Sequence, residues 1–211
     1  MSRRAVILAG GRGTRLRPYT VVLPKPLMPI GEFPILEVIL RQLARFDFRH
    51  ITLAVNHQAN LIKAFCGDGS QWGLTIDYSL EDRPLSTIAP LKLIPDLPDN
   101  FLLMNGDVLT DLDFTGFYCR HVEAGHLFTI AASERQHIVD YGVLRVDGTS
   151  RLTGFEEKPS VEYLVSMGVY MVPVGVRSDS TRIKVWLRRP HAGHARQQGA
   201  SARSEAPRIL A

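Results

Sequence analysis

Two rhythms of apolar and polar positions alternate along the first 172 residues. Residues 5–9 (AVILA) are an unbroken apolar run stopped by Gly10-Gly11, the pattern of a strand covered on both faces. Pro34 then opens a helical stretch, with Ile35, Leu36, Ile39, Leu40 and Leu43 on one face and Arg41, Gln42 and Arg45 on the other. A second strand is predicted over 51–55, a helix near 57–65 and a loop at Gly67-Asp68-Gly69-Ser70. Residues 74–80 read as a third strand, in which Ile76 and Tyr78 alternate with Asp77 and Ser79. A short helix over 87–93, a strand over 101–104, a helix over 113–123 and a strand over 127–132 follow. From Tyr141 the strands crowd together, over 142–146, 152–157 and 164–172.

Strands that alternate with helices predict an α/β, Rossmann-like three-layer fold, its mainly parallel (mixed) central sheet covered by helices on both faces. Ligands of such sheets bind beyond the carboxyl ends of the strands. Two polar clusters sit there, one at residues 10–17 and one at residues 105–111. The domain is read as 1–172. Beyond it, residues 173–211 hold seven Arg, two His and a single aromatic, Trp186, with no sustained period. Such a composition buries too little apolar surface to offset chain entropy, so the segment is expected to be a largely disordered basic tail. Its abrupt start leaves two origins open, a shifted reading frame that replaced the C-terminal part and a natural tail.

Length and composition narrow the classes. A chain of 211 residues, 45% apolar and 22% charged, can bury its own core. Two cysteines, Cys66 and Cys119, exclude a disulfide scaffold and a cysteine-rich zinc site. The apolar run after Arg3-Arg4 is too short for a signal-peptide core, and no run approaches a membrane span, so a cytoplasmic protein without a membrane partner is expected. The net charge of +4 suggests a polyanion partner until it is divided. Residues 1–172 carry 17 Lys and Arg against 19 Asp and Glu, whereas 173–211 carry 8 against 2. The folded part is therefore slightly acidic, and nucleic acid is not an expected partner.

The chemistry is concentrated in two segments. In Leu8-Ala9-Gly10-Gly11-Arg12-Gly13-Thr14-Arg15-Leu16-Arg17-Pro18, a strand runs into three glycines, a hydroxyl and arginines. Glycines let backbone N–H groups close on an anion, and the Arg15 guanidinium can grip phosphate oxygens as a planar fork. The segment matches neither the Walker pattern nor GxGxxG. In Pro24-Lys25-Pro26-Leu27-Met28-Pro29, three prolines stiffen the path around Lys25, a cation suited to presentation toward a ligand.

With these segments in view, the chain resembles the sugar-phosphate nucleotidyltransferases, or NDP-sugar pyrophosphorylases. These include glucose-1-phosphate thymidylyl- and uridylyltransferases and mannose-1-phosphate guanylyltransferases. The likeness continues in order through Asn105-Gly106-Asp107, Tyr141-Gly142-Val143, Glu157-Lys158-Pro159 and Gly168-Val169-Tyr170. It implies a glycosyltransferase-A-like fold and a reaction in which a sugar 1-phosphate attacks the α-phosphorus of a nucleoside triphosphate. By the same resemblance, Leu8, Ala9, Gly10, Gly11, Gly13, Thr14, Arg15 and Gly106 bind the nucleotide. Arg15, Lys25 and Asp107 are catalytic, and Asp107 holds Mg²⁺. Gly142, Glu157, Lys158 and Ser166 take the sugar phosphate.

The chain departs from the family pattern at three places. Leu85-Ser86-Thr87-Ile88-Ala89 stands where the family has Leu-Gly-Thr-Ala-Gly, and Ser166 stands where an Asn is common. The family's second metal ligand lies beyond the Gly-x-Tyr strand, where Asp179 has no supporting pattern. Reduced turnover is therefore expected, with a nucleotide- or sugar-phosphate-binding pseudoenzyme or regulatory subunit as the alternative. Base, sugar and oligomeric state, a homo-oligomer included, stay open. His50, His57, His121, His126 and His137 lack mutual ligand spacing and are expected at the surface or in loops. Asp111 and Asp113 are expected to cap a helix, with Asp111 a minor metal candidate.

Overall fold

A computed structural model of the chain describes residues 3–11, 13, 18–56, 58–81, 89–177 and 208–210. The apolar run becomes strand β1 (Arg3–Leu8), followed by the single-turn helix α1 (Tyr19–Val22) and a 3-10 turn at Lys25–Leu27. A small hairpin of β2 (Pro29–Ile30) and β3 (Phe33–Pro34) leads into helix α2 (Ile35–Arg45). Then come β4 (Phe48–Val55), α3 (Ala59–Cys66), β5 (Thr75–Leu80) and β6 (Asn100–Asn105). Helix α4 (Phe114–Glu123) precedes β7 (Thr129–Ile138), β8 (Val143–Val146), β9 (Leu152–Glu156) and β10 (Ser160–Pro173). The last described element is β11 (Arg208–Leu210).

The central sheet runs β11-β7-β10-β6-β1-β4-β5. Strands β6, β1, β4 and β5 are parallel, β10 is antiparallel to β6 and β7, and β11 is antiparallel to β7. Five of the seven strands thus share one direction, the mainly parallel mixed sheet that the alternation predicts. The central strands read as unbroken apolar runs because both their faces are covered.

One face carries the larger core. Ala5, Ile7, Leu53, Val55, Leu102 and Met104 pack there against α2, α3 and α4. Helix α2 buries Leu36, Ile39, Leu40 and Leu43 completely, each worth ~1.5–3 kcal/mol, which outweighs its i,i+4 pair between buried Glu37 and exposed Arg41. The other face is covered differently from the expectation of helices on both sides. Among the described residues, Val6, Phe101, Leu103 and Val172 meet Leu91, Ile94 and Leu97, which belong to a 3-10 turn (Ala89–Leu93) and the segment after it. Prolines at 90, 95 and 98 disfavour a regular helix there. Arg4 closes this face by donating to Thr52 Oγ1 at 2.9 Å and to the Asp96 carbonyl at 2.9 Å.

Several element limits shift. β7 runs six residues beyond 132, and β10 begins four residues before 164, because the two strands continue past the core as an antiparallel ribbon. β10 reaches Pro173, Val174–Arg177 forms a further 3-10 turn, and residues 208–210 pair with Ile130, Ala131 and Ala132. An edge strand thus stands where composition predicts no element; residues 178–207 and 211 lie outside the described residues. Asp113 caps α4, accepting from Gly116 N at 3.0 Å, while Asp111 is exposed.

His121 corrects a second expectation. It is buried on the inner face of α4, its Nδ1 2.7 Å from Thr129 Oγ1 and its Nε2 3.0 Å from Asn100 Oδ1. It ties α4 to β6 and β7, and burial, with a smaller contribution from His126, lowers its pKa. Cys66 is also buried, and burial pushes its thiol up to about 12, so it behaves as a small apolar side chain. No helix of the described residues is long and apolar enough to cross a membrane.

Candidate active site

The parallel strands β1, β4, β5 and β6 all end on one edge of the sheet, where their first polar residues collect. Leu8 ends β1, and its carbonyl accepts from Gly106 N at 2.9 Å, while Ala9 N donates to the Ala54 carbonyl at 2.8 Å. The loop after β1 is thereby held between its two neighbours. Gly106 lies tight against it: a Cβ on this residue would sit 3.1 Å from the Leu8 carbonyl oxygen. A side chain here would press on the Leu8 carbonyl, so glycine suits the close approach of the end of β6. Gly13 has φ +58° and faces Thr20, whose hydroxyl donates to the Gly13 carbonyl at 2.8 Å. Gly11 is exposed with open space beside it.

The Pro-rich segment lies across the end of β6. The 3-10 turn at Lys25–Leu27 buries Pro26 and Leu27 and turns the Lys25 ammonium onto Asp107, with which it forms an ion pair and hydrogen bond. Both side chains are about one-third exposed, so the pair faces the open edge. Lys25, Asp107, Gly106 and the Leu8–Ala9 end of β1 are thus brought together. Thr14 and Arg15 lie outside the described residues, as do His57 and the Leu85–Ile88 part of the divergent stretch.

The other predicted positions sit on a separate part of the fold. Gly142 and Glu157 flank the β8–β9 hairpin and are close: a Cβ on Gly142 would fall 2.5 Å from the Phe155 ring and 3.3 Å from Glu157 Oε2. Lys158 is exposed with φ +44°. Ser166 lies in β10, where its hydroxyl donates to the Tyr170 hydroxyl at 3.2 Å and accepts from Gly168 N at 3.2 Å. Gly168, at φ +75°, absorbs the irregularity between Ser166 and Tyr170 and packs against the Asn105 side chain at the end of β6. Through that contact the ribbon reaches the site edge.

Two residues of this edge escape the motif reading. Asn56 follows β4 and Glu81 follows β5, and both are buried. The Asn56 amide donates to the Gly10 carbonyl, and a Cβ on Gly10 would lie 3.5 Å from Glu81 Oε1. Their one sequence signal is position. Each is the first residue after its strand, as Gly106 is after β6.

A glycine turn, a lysine and an aspartate thus meet on one edge of the sheet. The family model described as nucleotidyl transferase matches residues 4–191. The chain belongs to the nucleotidyl transferase family. Among its relatives, the UTP–glucose-1-phosphate uridylyltransferase of Synechocystis is 35% identical over 187 residues, covering 80% of this chain and 48% of its own length. The mannose-1-phosphate guanyltransferase of Yarrowia lipolytica is 34% identical over 178 residues, with 80% and 49% covered. The chain therefore spans about half the length of the curated relatives it matches. Among solved structures, HddC from Yersinia pseudotuberculosis complexed with GMP-PN superposes with a TM-score of 0.64 at 25% identity, covering 84% of this chain and 79% of that one. As a member of this family, the chain has the expected glycosyltransferase-A-like architecture. The family match runs past the 172 boundary, into residues the structure does not describe.

Proposed function

We propose that this chain is the catalytic part of a sugar-1-phosphate nucleotidyltransferase, acting on a nucleoside triphosphate and a sugar 1-phosphate. The observation that carries the reading is the meeting of Lys25 and Asp107 beside the β1 glycine turn, across 82 positions of sequence. In the reaction, a phosphate oxygen of the sugar 1-phosphate bonds to the α-phosphorus. The bond from that phosphorus to the bridging oxygen breaks, and pyrophosphate leaves. Two polyanions must approach each other, so most of the barrier is charge and position.

This chain's residues answer that need. Backbone N–H groups at Gly10, Gly11 and Gly13 cradle the nucleotide, supported by Leu8, Ala9, Thr14 and Gly106. Lys25 neutralises the α-phosphate, and Arg15 steadies the departing pyrophosphate. Gly142 leaves room for the sugar, Glu157 and Ser166 accept or donate to its hydroxyls, and Lys158 pairs with its phosphate. Asp107 would hold Mg²⁺ through its hard carboxylate oxygens, part-exposed at the open edge, where the ion would share them with the Lys25 ammonium. Its chemistry there would be neutralisation of phosphate charge. We place the protein in the cytoplasm, and the working domain at residues 1–172, with 173–211 as a basic appendage.

A coupled pyrophosphate-release assay over paired nucleoside triphosphates and sugar 1-phosphates tests the reading. Turnover that depends on both substrates and disappears in Asp107→Ala supports it. Triphosphate binding without turnover on any sugar phosphate would leave the chain a binding module and defeat the proposal.

A further inference from the structure

Thr20 is a buried polar residue to which the reaction proposed above gives no role. It lies in α1 and is only 7% exposed. Its hydroxyl donates to the Gly13 carbonyl at 2.8 Å, seven positions back in the chain. Its methyl fills the space beside the same glycine: a Cβ on Gly13 would fall 2.7 Å from Thr20 Cγ2. Gly13 stands at φ +58°, a left-handed conformation open to glycine but one of many that glycine can adopt. One side chain thus both bonds to the turn and packs against it.

The hold is anchored from its other side. Leu23 N donates to the Tyr19 carbonyl at 3.3 Å, closing α1, and the Leu23 side chain packs on the larger core. The 3-10 turn that follows buries Pro26 and Leu27 and turns Lys25 onto Asp107. Thr20 therefore stands between the glycine turn and Lys25, on a segment that the core fixes. In sequence, Thr14 and Arg15 fall between the two residues that its hydrogen bond joins.

We propose that Thr20 is a positioning residue for the triphosphate: it touches no ligand, and its hydroxyl holds the Gly13 turn in the shape that receives the phosphates. The inference rests on the reaction proposed above and adds no ligand group to it. A glycine turn left to itself spreads over many conformations. Affinity then falls by the fraction of molecules in the competent one. Losing one hydrogen bond of ordinary net strength lowers that fraction about 3- to 10-fold. Thr20→Val removes only the hydroxyl and leaves a methyl facing the Gly13 carbonyl. Thr20→Ser keeps the hydroxyl and removes the methyl.

The test is titration calorimetry of GTP, UTP, dTTP, ATP and CTP into the full chain, followed by the tightest of the five in each variant, with thermal unfolding alongside. Thr20→Val is expected to bind about 3- to 10-fold more weakly while its melting temperature stays within about 4 °C of wild type. Thr20→Ser is expected to bind within about twofold of wild type, since the hydroxyl that holds the turn remains. A folded Thr20→Val protein weakened less than about threefold overturns the positioning role and leaves nucleotidyl transfer standing. An equal loss in Thr20→Ser gives the hold to the methyl and overturns the part assigned to the hydroxyl. If Thr20→Val does not fold, Thr20→Ala decides by the same threshold, and failure of both to fold makes Thr20 a structural tie and overturns the proposal. Failure of all five triphosphates to bind wild type overturns the reaction proposed above and this inference with it.

Discussion

Strand β10 passes through two environments. Its inner half, Val169 to Val172, is wedged between β6 and β7 with Val169, Met171 and Val172 buried. Its outer half pairs with β7 alone, and Val161, Tyr163 and Leu164 are exposed. The neighbouring β8–β9 hairpin is similar, with Leu144 and Phe155 60% or more exposed. Among the described residues, apolar contact on both faces holds the inner sheet. The ribbon and hairpin are held by ladder bonds and cross-strand pairs, at ~0.2–1 kcal/mol each. The proposed nucleotide groups stand on the first kind of structure and the proposed sugar-phosphate groups on the second. The proposed triphosphate groups thus stand on well-packed structure, and the proposed sugar-phosphate groups on structure with few buried apolar contacts, the kind that opens locally at lower cost.

The contrast is broken most forcefully in the core. Leu40→Ala removes a fully buried side chain of α2 and is expected to cost ~2–5 kcal/mol in chemical denaturation. A cost below ~1 kcal/mol would mean the inner sheet is no better packed than the ribbon. Lys25→Ala should divide function from stability. Its ammonium is at the open edge, so the melting temperature is expected to stay within a few degrees while turnover falls ~10²–10³-fold. An equal loss of stability and turnover would make the Lys25–Asp107 pair a structural tie.

The buried His121 gives the inner sheet a pH signature. Its folded pKa lies below the unfolded value of ~6.5, so the unfolded chain binds the extra proton first. Its share of stability is complete above pH ~6.5 and falls away as pH drops through that value toward the lower folded pKa. The slope from this one group is at most ~1.4 kcal/mol per pH unit. Denaturation from pH 7.5 to 5 should show this slope in wild type and a flatter one in His121→Gln. The smallest effect is expected in the hairpin, where Leu144→Ala should stay within ~0.5 kcal/mol. Hydrogen exchange should also show β8 and β9 amides exchanging well before those of β1 and β4.

Local pattern accounts for more of the inner sheet than of the ribbon. Strand β1, helix α2 and the Asp113 cap are legible because burial on two faces, a 3.6-residue stripe and a capping oxygen each leave a short-range mark. The ribbon is underestimated, since exposed Glu134, Arg135 and Gln136 look like a strand ending. His121 is read as a surface residue because its partners, Asn100 and Thr129, belong to other elements.

The order of residues alone determined where buried strands stop and which glycines, lysine and aspartate follow them, because a chain leaving a covered sheet must turn and meet water. Tertiary structure decided which of those ends become neighbours. With β1 inserted between β4 and β6, Lys25 reaches Asp107, and Asn56 and Glu81 close around Gly10. Strand order depends on how whole elements pack across the sheet, and no window of neighbouring residues holds that information.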